Sequence, residues 1–101
     1  MASSHLSLKR WFNFYNKRYF NSELPANTRL FWSPLTRDHA HMEDYEIHLD
    51  PALQLFPKFM RIMLLHEMVH LHNPRLGHGK KFQDEIERLW IAGAFIPLLQ
   101  E

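Results

Sequence analysis

One short motif constrains this chain more than any other feature. His66 and His70 flank Glu67 in the order His-Glu-x-x-His, inside an apolar stretch without glycine or proline from Lys58 to Asn73. On a helix, side chains four residues apart stand one above the other, so both imidazoles can face one point. The spacing therefore predicts a buried helix with a two-histidine metal site on one face.

A third ligand is expected shortly after this helix. A catalytic zinc takes three protein ligands and keeps a fourth position open. His78, which has a glycine on each side, is our candidate, since a loop that returns past the helix end can bring it back to the ion. Asp84 and Glu85 remain alternatives, because carboxylates complete some two-histidine zinc sites. The chain contains no cysteine, so a Zn2+ site here needs histidine and carboxylate ligands.

Glu67 is the candidate catalytic residue. It is rotated about 100° from His66 around the helix, which keeps it off the two-histidine face but within reach of a water on the ion. A carboxylate in that position can act as a general base. Because a metal that only stabilises a fold needs no base beside it, Glu67 favours an enzyme over a structural zinc site.

The composition predicts one small intracellular domain. A chain of 101 residues can bury one core, so residues 1–101 form a single domain. The first seven residues lack the order of a signal peptide, and no apolar run reaches the length of a membrane span. We therefore expect a soluble cytoplasmic monomer without membrane contacts.

The charge balance argues against a dedicated nucleic-acid binder. The formal net charge is only +1, whereas such proteins carry a marked basic excess. Four cations nevertheless lie close together in the first predicted helix, and they predict at most a weak association with DNA: Lys9, Arg10, Lys17 and Arg18. The alternative is that they form the solvated side of this helix.

Hydrophobic periodicity predicts about three helices and two strands. Apolar residues recur at helical spacing from about His5 to Asn21, in the motif segment, and from about Lys80 to Ala94. Residues 28–33 are rich in β-forming side chains and residues 45–50 alternate apolar with polar, as strands do. The polar segment 35–44 between them is interpreted as a loop. These elements predict an α+β domain with a small antiparallel or mixed sheet beside the motif helix.

Several of these segments together resemble the SprT-like (Spartan) family of zinc metallopeptidases. The weaker similarity lies in the segment from Tyr19 to Pro25, in Trp32 and in the strand around Ile47, so that the resemblance covers about residues 8 to 95. The most specific part is the order Leu64-Leu65-His66-Glu67-Met68-Val69-His70 followed by Gly77-His78-Gly79-Lys80-Lys81-Phe82. The resemblance implies a minimal zincin-like domain, with His66, His70 and His78 as zinc ligands and Glu67 as the catalytic acid and base.

The resemblance also implies a function. It implies hydrolysis of peptide bonds in unfolded or DNA-associated proteins, in the context of DNA-protein crosslink repair. Family members often carry a cysteine zinc ribbon or another DNA-binding segment after the protease domain, whereas this chain has no cysteine. The form implied here is therefore the minimal domain without the ribbon, in which Glu67 takes a proton from a zinc-bound water and later protonates the leaving amine.

Two other functions compete with the peptidase. In the first, the chain is a non-catalytic module that zinc stabilises and that binds DNA or a partner protein. In the second, the metal assists hydrolysis of a nucleic acid, a chemistry that favours hard oxygen ligands and often two ions. For the peptidase, the group that stabilises the oxyanion stays open between Tyr45, His48 and a nearby arginine.

Overall fold

Four α-helices and three short strands make up the part of the chain that the structure describes. The computed structural model describes residues 4–34, 40–43, 46–72 and 79–99, with the backbone alone for 4–7 and 40–43. The elements are α1 (Ser4–Tyr19), β1 (Arg29–Trp32), β2 (Ala40–Glu43), β3 (Glu46–Leu49), a 3₁₀ helix (Pro51–Leu55), α2 (Pro57–His72), α3 (Lys80–Ala92) and α4 (Ile96–Leu99).

The strands form one mixed sheet, as the sequence predicts. β3 lies in the centre, parallel to β1 and antiparallel to β2. The prediction of a loop over residues 35–44 was wrong for β2. Its residues Ala-His-Met-Glu alternate apolar with polar, but four residues are the shortest run that can indicate a strand, and the surrounding segment is polar. Ile47 and Leu49 are fully buried on the face that packs against α2. The alternation of a strand therefore places Glu46 and His48 on the opposite face.

The motif helix α2 lies in the middle of the fold. It contacts α1, α3, α4, the 3₁₀ helix, β2 and β3. Leu64, Leu65 and Met68 are completely buried, which explains why this stretch is apolar on most sides. Pro57 occupies its first turn, where a missing N–H costs nothing. The remaining, partly exposed face of α2 carries the two histidines of the motif.

Helix α1 is fixed to α2 by one arginine. Leu8 and Phe12, on the predicted apolar stripe, are completely buried. Arg61 of α2 donates from Nε to the Tyr15 hydroxyl over 2.7 Å, and its guanidinium lies 3.6 Å from the centre of the Trp11 ring. Burial raises the pKa of Tyr15 and outweighs the opposing effect of Arg61, so the phenol that accepts this bond is neutral.

The carboxyl-terminal helices close the core. α3 ends at Ala92, two residues earlier than predicted, because Gly93 adopts the left-handed conformation with φ of +89° and stops the helix. α4 then returns along α2 and buries Leu98. Within the described residues, no helix combines the length and the apolar character needed to cross a membrane.

Candidate metal centre

The centre of the site is a single turn of α2. The ring centroids of His66 and His70 are 4.9 Å apart, and Oε2 of Glu67 lies 3.7 Å from Nε2 of His66. One potential ligand atom from each of these residues lies within 4.8 Å of the other two. Among the residues that the structure describes, no other three histidine or carboxylate side chains are grouped in this way. The motif thus forms a cluster at the spacing that the sequence predicts, and we refer to His66, Glu67 and His70 as the metal group.

The three side chains differ in their access to solvent. The side chain of His66 is 33% exposed, whereas that of Glu67 is 6% exposed. A buried carboxylate is costly unless a cation or hydrogen-bond donors compensate for it. The exposed part of the His66 ring gives an ion access from solvent. The Glu67 carboxylate lies in a region of lower dielectric constant, where its electrostatic interactions are stronger.

Phe82 of α3 holds the histidine rings from one side. Its ring centroid lies 5.1 Å from that of His66 and 4.6 Å from that of His70. Phe82 itself is buried, so it limits the rotamers that the two imidazoles can adopt. Contact with both rings was not predicted, although the position of Phe82 four residues after His78 in the family pattern was the available signal.

The group fits a zinc ion by the chemistry of its donors. Zinc in proteins binds imidazole nitrogen and carboxylate oxygen, and a catalytic site uses three protein ligands. The structure supplies two such ligands, the imidazoles of His66 and His70, on one helical turn, with the Glu67 carboxylate beside them. The predicted third ligand, His78, lies outside the described residues, and so does Tyr45.

The alternative third ligands are directed elsewhere. Oδ2 of Asp84 lies 3.5 Å from Nζ of Lys80. Oε1 of Glu85 lies 2.5 Å from Nδ1 of His72. Neither carboxylate joins His66 and His70 in the metal group.

His48 does not lie beside the metal group. It projects from the face of the sheet that is turned away from α2. There its Nδ1 is 2.8 Å from Oγ of Ser33, its Nε2 is 3.1 Å from Oε1 of Glu46, and its ring stacks on Phe31. Of the candidates for oxyanion stabilisation, His48 is therefore not supported by the geometry.

A second histidine contact at the end of α2 was not predicted. Nε2 of His72 lies 3.0 Å from Oε1 of Glu23, and its Nδ1 contacts Glu85, so the ring connects the turn after α1 to α3. We refer to His72, Glu23 and Glu85 as the His72 clasp. Its members are 13 and 49 residues apart in sequence, and no local pattern could have shown that they meet.

The chain belongs to the SprT-like family. Its residues 8–95, which include all three members of the metal group, match the sequence model of that family. Comparison with curated protein sequences gives no match.

Two solved structures have a similar fold. The metallopeptidase zymogen abylysin of Pyrococcus abyssi is 19% identical, with a TM-score of 0.69 over 90% of this chain and 87% of that chain. The metallopeptidase zymogen jannalysin of Methanocaldococcus jannaschii is 17% identical, with a TM-score of 0.62 over 76% of this chain and 72% of that chain. The fold is therefore α+β, as the sequence predicts, and zincin-like, as the family resemblance implies.

Proposed function

We propose that the protein is a zinc-dependent metallopeptidase that cleaves unfolded or DNA-associated proteins. The observation that carries this proposal is Glu67, a buried carboxylate one residue from a metal-binding histidine on the same helical turn. A structural zinc site closes its coordination and has no use for such a group, whereas a hydrolase requires it. Membership of the SprT-like family and the zincin-like fold support the same conclusion.

His66 and His70 would hold the ion, with His78 as the proposed third ligand. When bound, zinc supplies a Lewis acid that polarises the scissile carbonyl and lowers the pKa of water. Phe82 keeps the two imidazoles in the orientation that binding needs, because its ring contacts both of them.

Glu67 carries the proton transfers. Its carboxylate accepts a proton from the attacking water and then delivers it to the leaving amine. Burial keeps this side chain in one place beside the histidine face, so little reorientation is required between the two steps.

The open face of α2 favours an extended substrate. His66 and His70 are partly exposed on this face, whereas the opposite sides of the helix are buried in the core. An extended chain can lie along such a face, while a folded protein presents few accessible bonds. Unfolded segments, including those of proteins bound to DNA, are therefore the proposed substrates.

Glu67→Gln tests the proposal directly. The amide is nearly isosteric and leaves the histidines unchanged, but it cannot accept the proton. Cleavage of an unfolded protein such as casein should fall by about 10² to 10⁴, while elemental analysis still finds the zinc of the parent protein. Glu87→Gln, the same substitution at an exposed position of α3, is the control and should cleave at the parental rate.

Two results would contradict this assignment. Cleavage at the parental rate after Glu67→Gln would require a different base. Zinc lost together with activity would make Glu67 structural, and the non-catalytic zinc-stabilised module would then be the better interpretation.

We also propose that α1 gives the protein a weak affinity for DNA. Between Ser4 and Tyr19 there are four cations and no aspartate or glutamate. Arg10, Lys17 and Arg18 are exposed, with Phe14 exposed among them, which supports phosphate contacts together with base stacking. Lys9 contributes less, because its Nζ donates to the carbonyl oxygens of Ala26 and Thr28.

Salt-dependent binding tests the DNA proposal. Fluorescence anisotropy with a labelled single-stranded oligonucleotide should show binding that weakens steeply as the salt concentration rises from about 50 to about 200 mM. Replacing Arg10, Lys17 and Arg18 together by alanine should reduce both the affinity and the salt slope. Replacing Lys80 and Lys81 of α3 should change them less, and equal effects would show that only the net charge matters.

A further inference from the structure

The face of α2 that carries the metal group continues toward the start of the helix as an apolar stripe. Phe59, Met63, His66 and His70 follow one another at spacings of four, three and four residues, so they lie on one side of the helix. All four are at least partly exposed, while the neighbouring positions Met60, Leu64 and Leu65 are buried. A molecule lying along the metal face would therefore next meet Met63 and Phe59.

An apolar cavity lies at the end of this stripe. It has a volume of about 310 Å³ and is lined by Ala52, Leu53, Phe56 and Phe59. Leu53 is buried and forms its floor, whereas Phe56 and Phe59 are 61% and 43% exposed. Large exposed aromatic side chains around one depression are typical of a surface that binds something.

We propose that this cavity is a specificity subsite that receives one large apolar side chain of the peptide substrate. This inference rests on the proposed peptidase function and names the substrate feature that the site selects. An apolar cavity of about 150 Å³ holds a benzene molecule, so about 310 Å³ accommodates a phenylalanine or leucine side chain. The side chains that line the cavity are all apolar and cannot form a hydrogen bond with a bound side chain. A charged or amide side chain would lose its hydrogen bonds to water there, so we expect the cavity to exclude it.

The distance to the metal group predicts where that side chain lies in the substrate. Phe59 precedes His66 by seven residues and His70 by eleven, which is about 10.5 Å and about 16.5 Å along the helix axis. An extended peptide advances about 3.3 Å per residue. A side chain in the cavity therefore belongs to a residue about three to five positions from the bond that is cleaved.

Continuity with the metal face identifies the occupant as substrate. Phe59 lines the cavity, and the partly exposed Met63 lies between Phe59 and His66 on the same face of α2. Among the residues of α2, none that is buried lies between the cavity and the histidines on this face. Any extended chain placed over His66 along α2 brings its neighbouring residues to the cavity. A peptide bound over the metal group therefore fills the cavity with one of its own side chains.

The test uses flexible polar peptides in which one phenylalanine is moved along the sequence, with a serine-substituted peptide as reference. For the zinc-loaded parent protein, mass spectrometry should find cleavage at a constant distance from the phenylalanine, which we expect to be about three to five residues. The kcat/KM for these peptides should exceed that of the reference by about 10-fold or more. In Phe59→Ala and in Ala52→Trp, which fills the cavity, this ratio should fall toward one.

Leu55→Ala is the matched control, because Leu55 is exposed and apolar but does not line the cavity. It should keep the parental ratio. Equilibrium binding of the same peptides to the Glu67→Gln variant tests the cavity without cleavage. The phenylalanine peptide should bind more tightly than the serine reference peptide. Adding Ala52→Trp to this variant should remove the difference in affinity.

Several outcomes would overturn the subsite. Cleavage with no preference for phenylalanine, or a preference that survives both Phe59→Ala and Ala52→Trp, would do so while leaving the peptidase intact. Absence of cleavage by the parent would instead contradict the peptidase, and the binding preference would still decide the subsite. Concentration-dependent dimerisation that Phe56→Ser abolishes would assign the cavity to a second copy of the chain.

Discussion

The metal group and the His72 clasp lie next to each other on α2 and differ in what their imidazoles contact. His66 and His70 turn partly exposed rings toward one point, with a carboxylate supplied by the adjacent residue in the chain. His72 has a carboxylate at each ring nitrogen, and both come from distant segments. The first arrangement can receive an ion, whereas the second already joins three parts of the fold.

Rotation around the helix accounts for this difference. His66 and His70 are about 40° apart around the axis, while His72 is about 200° from His70. His72 therefore faces α3 and the turn after α1, where Phe20 also contacts its ring edge. The same residue type on one helix thus serves binding or stability according to the side that it faces.

The largest expected effect, on bound zinc and on cleavage, comes from replacing single histidines by alanine. His66→Ala or His70→Ala should reduce bound zinc from about one ion per chain to background and abolish cleavage, because each removes a ligand. His72→Ala should keep its zinc, as measured by elemental analysis after dialysis. Loss of zinc in His72→Ala, with the fold intact by circular dichroism, would place the clasp within the metal site.

A smaller effect is expected when the metal is removed from the parent protein. Binding to the folded state alone stabilises it by about 2.7 kcal/mol at 100 times the Kd, so chelation should lower the Tm by about 10 °C or more in a domain of this size. His72→Ala should respond to chelation in the same way, but His66→Ala should not. A Tm that stays constant after verified zinc removal would show that the metal group does not contribute to stability.

The smallest effect is expected from the clasp itself. His72→Ala should lower the free energy of unfolding by about 1 to 2 kcal/mol, because Glu85 is 10% exposed and loses one of its partners. Glu23→Gln should cost less than about 1 kcal/mol, since Glu23 is 57% exposed and its ion pair is screened by solvent. Urea denaturation measures both values. Equal losses in the two variants would show that exposure does not separate the two contacts.

The parts that the sequence could predict have local causes. Helix α2 follows from an uninterrupted apolar stretch and Pro57, and the grouping of His66 with His70 follows from their spacing alone. β3 shows its alternation because one of its faces is buried on α2. The assignment of His78 as third ligand remains a prediction.

The parts that the sequence could not predict depend on distant contacts. β2 is a strand because it pairs with β3, and four alternating residues are too few to predict that pairing. The His72 clasp brings together residues from three elements. The apolar cavity forms where the 3₁₀ helix meets α2, and the sequence shows the two aromatic residues beside Pro57 but not that they are exposed.

The central position of α2 also determines how its backbone exchanges hydrogen with solvent. Because α2 contacts both other long helices, α4, the 3₁₀ helix and two strands, it cannot separate without opening the whole core. Regions of this kind exchange their amide hydrogens only through global unfolding, while chain ends and loops exchange through local opening. Deuterium uptake in the turn from His66 to His70 therefore reports the free energy of unfolding of the entire domain.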